Sequence, residues 1–251
     1  SDESSSVLYG AYGALVYVMT IIGGSLADRY LGARKAVTFG AILLTFGHFG
    51  MTFEGDGSTQ LLKYQGDQYE IVLDARGGDA RQQIVTDLGS SYINFTEATM
   101  DIALPDSVGL PASINRDEFS LTVETQERYL NILYFSLALI IAGVGFLKAN
   151  ISTIVGSLYG FGDTRRDSGF TIFYMGINIG AFLASLSCGY LGIVHGWKYG
   201  FGLAGIGMLL GLIVFLSCHH WLEGKAEPPN PEKLSEKVFL GITVEWLCYL
   251  V

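Results

Sequence analysis

Gly23-Gly24-Ser25-Leu26-Ala27-Asp28-Arg29-Tyr30-Leu31-Gly32-Ala33-Arg34-Lys35 is a short, charged, glycine-punctuated link between two apolar stretches. The stretch before it, about Val7 to Ala27, contains no charged side chain, and neither does the stretch after it, about Ala36 to Phe53. Each is close to the ~20 residues that a helix needs to cross a hydrocarbon core of about 30 Å. The pattern repeats further along. A third apolar span runs from near Tyr129 to Tyr159, a fourth from about Gly169 to Ile193, and a fifth from about Tyr199 to Cys218. A second basic link, Gly162–Ser168, holds Arg165 and Arg166, and a tight turn at His195–Lys198 joins the last two spans.

Composition agrees with this pattern. Only 16% of the 251 residues are charged, against about 25% in an ordinary soluble domain. The 33 glycines lie largely inside the apolar stretches, where they would weaken soluble helices but let membrane helices approach closely. The net charge of −9 belongs to residues 54–128, which hold 14 acidic and 5 basic side chains. An acidic surface of this kind excludes nucleic acid as a partner. Cys188, Cys218 and Cys248 all lie in apolar segments and read as packing residues, not as a disulfide or metal set. His48, His195, His219 and His220 lack metal-ligand spacing, and no Ser or Cys has a recognisable base in motif terms. No metal or cofactor is therefore expected, and an enzyme is the least favoured class.

The short links set the orientation. Positive charge concentrates in cytoplasmic loops, and the links at 28–35 and 162–168 fall on one side by helix count. Residues 54–128 then face outside and Glu223–Glu236, with three prolines, lies inside as a loop. The 54–128 segment is too long for a bare loop. Tyr69–Leu73 and Phe119–Val123 alternate like strands, while Asp74–Asp79 and Pro105–Pro111 resemble turns. It is either a small, partly β external module or a flexible decoration. Asn94-Phe95-Thr96 matches a glycosylation sequon. Lys237–Val251 is apolar again and ends mid-element, and the immediate start on a spanning helix suggests a missing N-terminus.

Three motifs carry chemistry. In the opening link, Asp28 can accept hydrogen bonds from helix N-terminal amides, and Arg29 and Arg34 can pair across the cytoplasmic face. Such contacts would latch one conformation; simple topological anchoring by positive charge is the plainer reading. In Gly143-Val144-Gly145-Phe146-Leu147-Lys148-Ala149-Asn150-Ile151-Ser152, an ammonium sits within an uncharged helix. Placing it at the bilayer centre costs at least about 2.5–3.5 kcal/mol, so Lys148 either faces an aqueous cavity or partner acid, or snorkels to the interface. In Phe170-Thr171-Ile172-Phe173-Tyr174-Met175-Gly176-Ile177-Asn178-Ile179-Gly180-Ala181, Tyr174 and Asn178 share one helix face, for helix packing or for lining a cavity.

The opening link resembles the loop signature of the major facilitator superfamily. The other two motifs, with Asp163-Thr164-Arg165-Arg166-Asp167 between them, closely resemble the proton-dependent oligopeptide transporter (POT/PTR) family. The Phe-Tyr-x-x-Ile-Asn-x-Gly core is Phe173 to Gly180, and Gly145 to Ser152 matches a second block, with Ala149 where the family has Pro. The resemblance spans roughly residues 7–53 and 129–222. It implies an all-α integral membrane protein of the major facilitator fold, a partial N-terminal bundle of helices two to six with a polar extracytoplasmic insertion. Residues 1–53 would be helices two and three, 54–128 the insertion, 129–222 helices four to six, and 223–251 a cytoplasmic loop and the start of an inter-half helix. It implies a symporter in the bacterial inner membrane that imports di- and tripeptides with protons. Its partners would be peptides, protons, the lipid bilayer and the remaining transmembrane helices. Tyr17, Lys148, Tyr174 and Asn178 would face the peptide, with Lys148 also in proton coupling. The helix-one Glu-x-x-Glu-Arg motif is absent with helix one, and Glu245 is not equated with the helix-seven acid. A family member moving another anion, such as nitrate, and a membrane-anchored binding protein using 54–128 are the competing readings.

Overall fold

The computed structural model describes residues 2–53, 59–74, 81–124, 127–239 and 241–250. It divides into two compact units, one of Ser1–Glu54 with Asn131–Val251 and one of Gly55–Leu130.

The first unit is helical. Helix α1 (Asp2–Leu26) leads into a π-helical turn (Ala27–Leu31) and then α2 (Gly32–Gly50). No open loop spans 28–35, contrary to expectation. Gly32 has φ +73°, so one residue redirects the chain where a loop was anticipated. A Cβ at Gly32 would also lie 2.6 Å from the Glu227 carbonyl carbon. The helical run Ser6–Gly50 has 45 residues, about 68 Å if straight and twice the depth of a hydrocarbon core. It is not straight. Gly23 of α1 lies against Gly145, whereas Gly40 of α2 lies against Gly143. Seventeen residues of straight helix would hold those two points about 25 Å apart, so the run must fold back at the link.

The residues they touch belong to the second segment of this unit, which begins at Asn131. In the intervening 59–124 the chain forms β1 (Thr59–Tyr64), β2 (Asp67–Asp74), β3 (Arg81–Thr86), β4 (Gly89–Phe95), β5 (Thr99–Ile102), the short α3 (Pro105–Val108), β6 (Ser113–Asn115) and β7 (Phe119–Glu124). Then follow α4 (Glu127–Ser157), α5 (Arg166–His195) and α6 (Trp197–Ser217). Counted by length and apolar character, four stretches among the described residues can cross a bilayer: Ser6–Gly50, Glu127–Ser157, Arg166–His195 and Trp197–Ser217. The difference from the five expected spans is the continuous α1–α2 run. Beyond α6 come a 3-10 turn (His219–Leu222), α7 (Pro231–Ser235), a hairpin of β8 (Lys237–Phe239) and β9 (Ile242–Thr243), and α8 (Val244–Leu250). The tail thus contains elements where a plain loop and one helix start were expected.

Glycine explains how α1, α2 and α4 pack. A Cβ at Gly23 would lie 2.5 Å from the Gly145 carbonyl oxygen, and one at Gly40 2.6 Å from the Gly143 oxygen. These are backbone-to-backbone approaches that only the absence of a side chain permits. Asn150 is 1% exposed; its Nδ2 donates to the Phe146 carbonyl at 2.7 Å and to the Gly23 carbonyl at 3.4 Å. It thereby ties α4 to α1 through a polar contact in an apolar surrounding.

The second unit is a seven-stranded antiparallel sheet in the order β6-β5-β4-β3-β2-β1-β7. The all-α description therefore holds only for the membrane-spanning helices: this unit is a sheet, and the helical unit carries the β8–β9 hairpin in its tail. Strands β6 and β7 lie at opposite edges yet are joined by only Arg116–Glu118. At about 3.5 Å per residue such a link reaches little more than 10 Å, so the sheet curls until its edges approach. Leu62, Ile84, Met100 and Ile114 are wholly buried within the curl, with Phe119, Ile71 and Ile93 around them. The expected strands at Tyr69–Leu73 and Phe119–Val123 are β2 and β7. Of the two expected turns, Pro105–Pro111 contains α3 and a left-handed Gly109, and 75–79 lies outside the described residues.

Candidate functional site

Tyr17 and Lys148 come from helices locked together by the glycine contacts above. Met19 packs on Gly145, and Gly24 meets the Cβ of Ala149, so α1 and α4 run side by side through this region. That register brings the Lys148 Nζ to 5.2 Å from the centroid of the Tyr17 ring. The ring's electron-rich face stabilises the ammonium by about 0.5–1 kcal/mol at an exposed site, and by more once water is excluded. Lys148 is exposed and forms no ion pair among the described residues. The carboxylate partner expected on a neighbouring helix is thus not among them, and the ammonium is free to meet an incoming anion.

Tyr174 and Asn178 form a separate pair one helical turn apart on α5. Asn178 Nδ2 donates to the Tyr174 carbonyl at 2.8 Å, and both side chains are exposed. Among the described residues, no hydrogen bond or ring contact joins this pair to Tyr17 or Lys148. Helix α5 begins in an ordered turn. The Arg165 guanidinium and backbone N–H both donate to Asp163, at 2.8 and 2.9 Å, and hold its carboxyl down at about 2.

At the other end of α1, the three expected latch residues separate. Arg34 donates through Nε and Nη2 to the two carboxylate oxygens of Glu227, and its backbone N–H donates to the Ala226 carbonyl at 3.0 Å. Asp28 and Arg29 are exposed and make no side-chain bond among the described residues. The neighbouring Lys35 pairs with Glu245, which also accepts from the Tyr249 hydroxyl at 3.1 Å. Phe39 stacks on Tyr249 with centroids 4.5 Å apart and meets Phe146 edge-on at 5.1 Å. The partners Glu227 and Glu245 escaped the sequence reading because they lie roughly two hundred residues from the link. Glu227 also lies in a Pro-rich, charged stretch that reads as a loop, and Glu245 in the apolar stretch that reads as the start of a helix. Among the described residues, no cluster of three or more His, Cys, Asp or Glu could hold a metal.

Comparison with known proteins places this geometry. The family model described as POT family, PTR2, matches residues 34–247. An uncharacterized transporter of Bacillus subtilis (strain 168), YclF, is 34% identical over 241 residues, covering 96% of this chain and 34% of that protein. The di-/tripeptide transporter of Lactococcus lactis subsp. cremoris is 31% identical over 244 residues, 96% of this chain and 34% of that one. The crystal structure of a peptide transporter POT in complex with sulfate superposes with a TM-score of 0.55 at 34% identity, over 86% of this chain and 29% of that chain. A POT family transporter in complex with 5-aminolevulinic acid gives 0.56 at 28% identity, over 90% and 32%. The chain spans about a third of the length of these relatives. The matched stretch takes in α2, α4, α5 and α6, and with them Lys148, Tyr174 and Asn178: the chain belongs to the POT family.

Proposed function

We propose that this chain is part of a proton-coupled symporter that imports di- and tripeptides by alternating access. Its helices supply the second to sixth of a major facilitator fold, and the remaining helices of the full-length transporter complete the cavity. The observation that supports this most is the Lys148–Tyr17 pair: a cation with no acidic partner among the described residues, held beside an aromatic ring. Lys148 takes the peptide carboxylate in a charge-assisted hydrogen bond. Tyr17, Tyr174 and Asn178 supply phenol and amide groups for the peptide backbone. Recognition through termini and backbone leaves the side chains loosely read, which suits a broad peptide range. Lys148 also takes part in proton coupling. The proton is the coupling ion, and no cofactor enters the cycle. The basic links face the cytoplasm of a bacterial inner membrane and the sheet module faces outside. Asp28, Arg29 and Arg34 act as the conformational latch.

The test is uptake of labelled dialanine into proteoliposomes holding the full-length transporter under an imposed proton gradient. Gradient-dependent uptake, blocked by unlabelled di- and tripeptides, is the expected result. Lys148→Ala should abolish uphill accumulation while leaving peptide exchange; uphill uptake unchanged in that variant would refute the role given to Lys148. Gradient-driven movement of another anion, with no peptide competition, would replace the substrate.

A further inference from the structure

The outer face of the sheet carries a polar row that the membrane site does not use. Gln83 pairs with Tyr92 and Asn94 with Asp101. Continuing the β3–β4 register by two residues sets Arg81 opposite Asn94, so Arg81, Asn94 and Asp101 stand in line across three strands. Residues opposed in an antiparallel ladder share a face. The alternate positions Ile84, Ile93, Met100 and Ile102 fill the interior, so this row faces outward. With strands about 4.8 Å apart, the ends of the row are about 10 Å apart at the backbone. A cavity of about 750 Å³ lies over it, lined also by Tyr92 and Ala103.

The two charges at its ends do not neutralise each other. Among the described residues, Arg81 forms no ion pair; its guanidinium lies 5.9 Å from the Tyr92 ring centroid. Asp101 forms none either. Its Oδ1 accepts from the Ser113 hydroxyl at 2.7 Å and from the Thr99 hydroxyl at 3.2 Å, which fix the carboxylate without cancelling its charge. Asn94, between them, is exposed with its amide unbonded among the described residues.

The geometry points to a second, extramembrane site for short zwitterionic peptides: Arg81 takes the carboxylate, Asp101 the ammonium, and the Asn94 amide the peptide group between them. An extended chain advances about 3.3–3.6 Å per residue, so the termini of a di- or tripeptide stand about 7–10 Å apart and match the row. A single amino acid is too short to reach both charges. The cavity's size lies within the range of small-ligand sites. The choice of peptides among zwitterions rests on the transport reading above.

The experiment uses the protein in lipid nanodiscs with Lys148→Ala, Tyr174→Ala and Asn178→Ala together, which removes the cation and the polar groups that would hold a peptide at the membrane site. Equilibrium dialysis with labelled dialanine should show saturable binding, weakened about ten-fold by Arg81→Gln and by Asp101→Asn, since each removes one charge-assisted contact. N-acetyl-dialanine amide, which has neither terminal charge, should not compete. Absence of binding in this background, affinity unchanged by either further variant, or full competition by the blocked peptide would each overturn the inference. Lost peptide uptake by the full-length transporter, with this binding intact, would strike at the transport reading alone.

Discussion

At Gly145 a methyl group has nowhere to go. Its Cβ would sit 2.7 Å from both the Met19 Cβ and the Met19 carbonyl oxygen, and backbone cannot swing aside as a side-chain tip can. Gly145→Ala should therefore cost about 1–3 kcal/mol, the usual range for overpacking, read as a lower thermal midpoint in detergent micelles. Gly10→Ala is the control. Nothing lies within 4 Å of a Cβ there, so the midpoint should hold or rise slightly. Tyr17 offers a test of a different kind. In the full-length transporter, Tyr17→Phe keeps the ring beside Lys148 and loses only the phenol hydroxyl, so it should weaken peptide affinity less than loss of the ring does. Tyr17→Ala removes it and should weaken affinity about two- to five-fold, the equivalent of about 0.5–1 kcal/mol for an exposed cation–ring contact.

Among the elements, the segment after α6 is held to α2 by charge. Hydrogen bonding from Arg34 holds the Glu227 carboxyl below its ordinary range. A lowered folded-state value means the contact contributes fully above the ordinary carboxylate range and is lost as pH falls through the lowered one. Protection of the backbone amides around 224–227 against hydrogen exchange, taken relative to the intrinsic rate at each pH, should thus hold down through mildly acidic pH and fall only below it. In Glu227→Gln the same amides should exchange faster at neutral pH, with little dependence on acid. The elements also differ in how far the sequence revealed them. Glycine within charge-free stretches announces close helix approach, and α4, α5 and α6 fall within a few residues of their anticipated spans. The link did not disclose its π turn, because a glycine's φ is set by what packs on it, here Glu227 and Pro228. In the sheet, β2 and β7 show apolar alternation, but β3, Arg-Gln-Gln-Ile-Val-Thr, has a single wholly buried side chain, Ile84. Strands this short and polar carry almost no periodic signal, and pairing alone defines them. In the site, Lys148 was legible from the cost of burying a charge, whereas its neighbour Tyr17 on α1 came only from family resemblance, because spacing within one helix says nothing of the next.

For the whole molecule, the sheet unit has its own core, running from Leu62 through Met100 to Phe119, apart from the helical clusters around Phe146 and Ile154. Residues 55–130 made separately should unfold in one cooperative denaturant transition seen alike by circular dichroism and by Tyr fluorescence. A broad, probe-dependent transition would show that the core does not suffice.

The glycine contacts also bear on mechanics. Where Gly23 meets Gly145 and Gly40 meets Gly143, main chain rests on main chain, with no side chain between at those points to shear or re-rotamerise. Between α2 and α6 the joint is different: Gly205 rests on the Phe49 ring, a flat plate that can slide. Helices α1, α2 and α4 therefore form a stiff block, and displacement of α6 against α2 is taken up along the Phe49 plate.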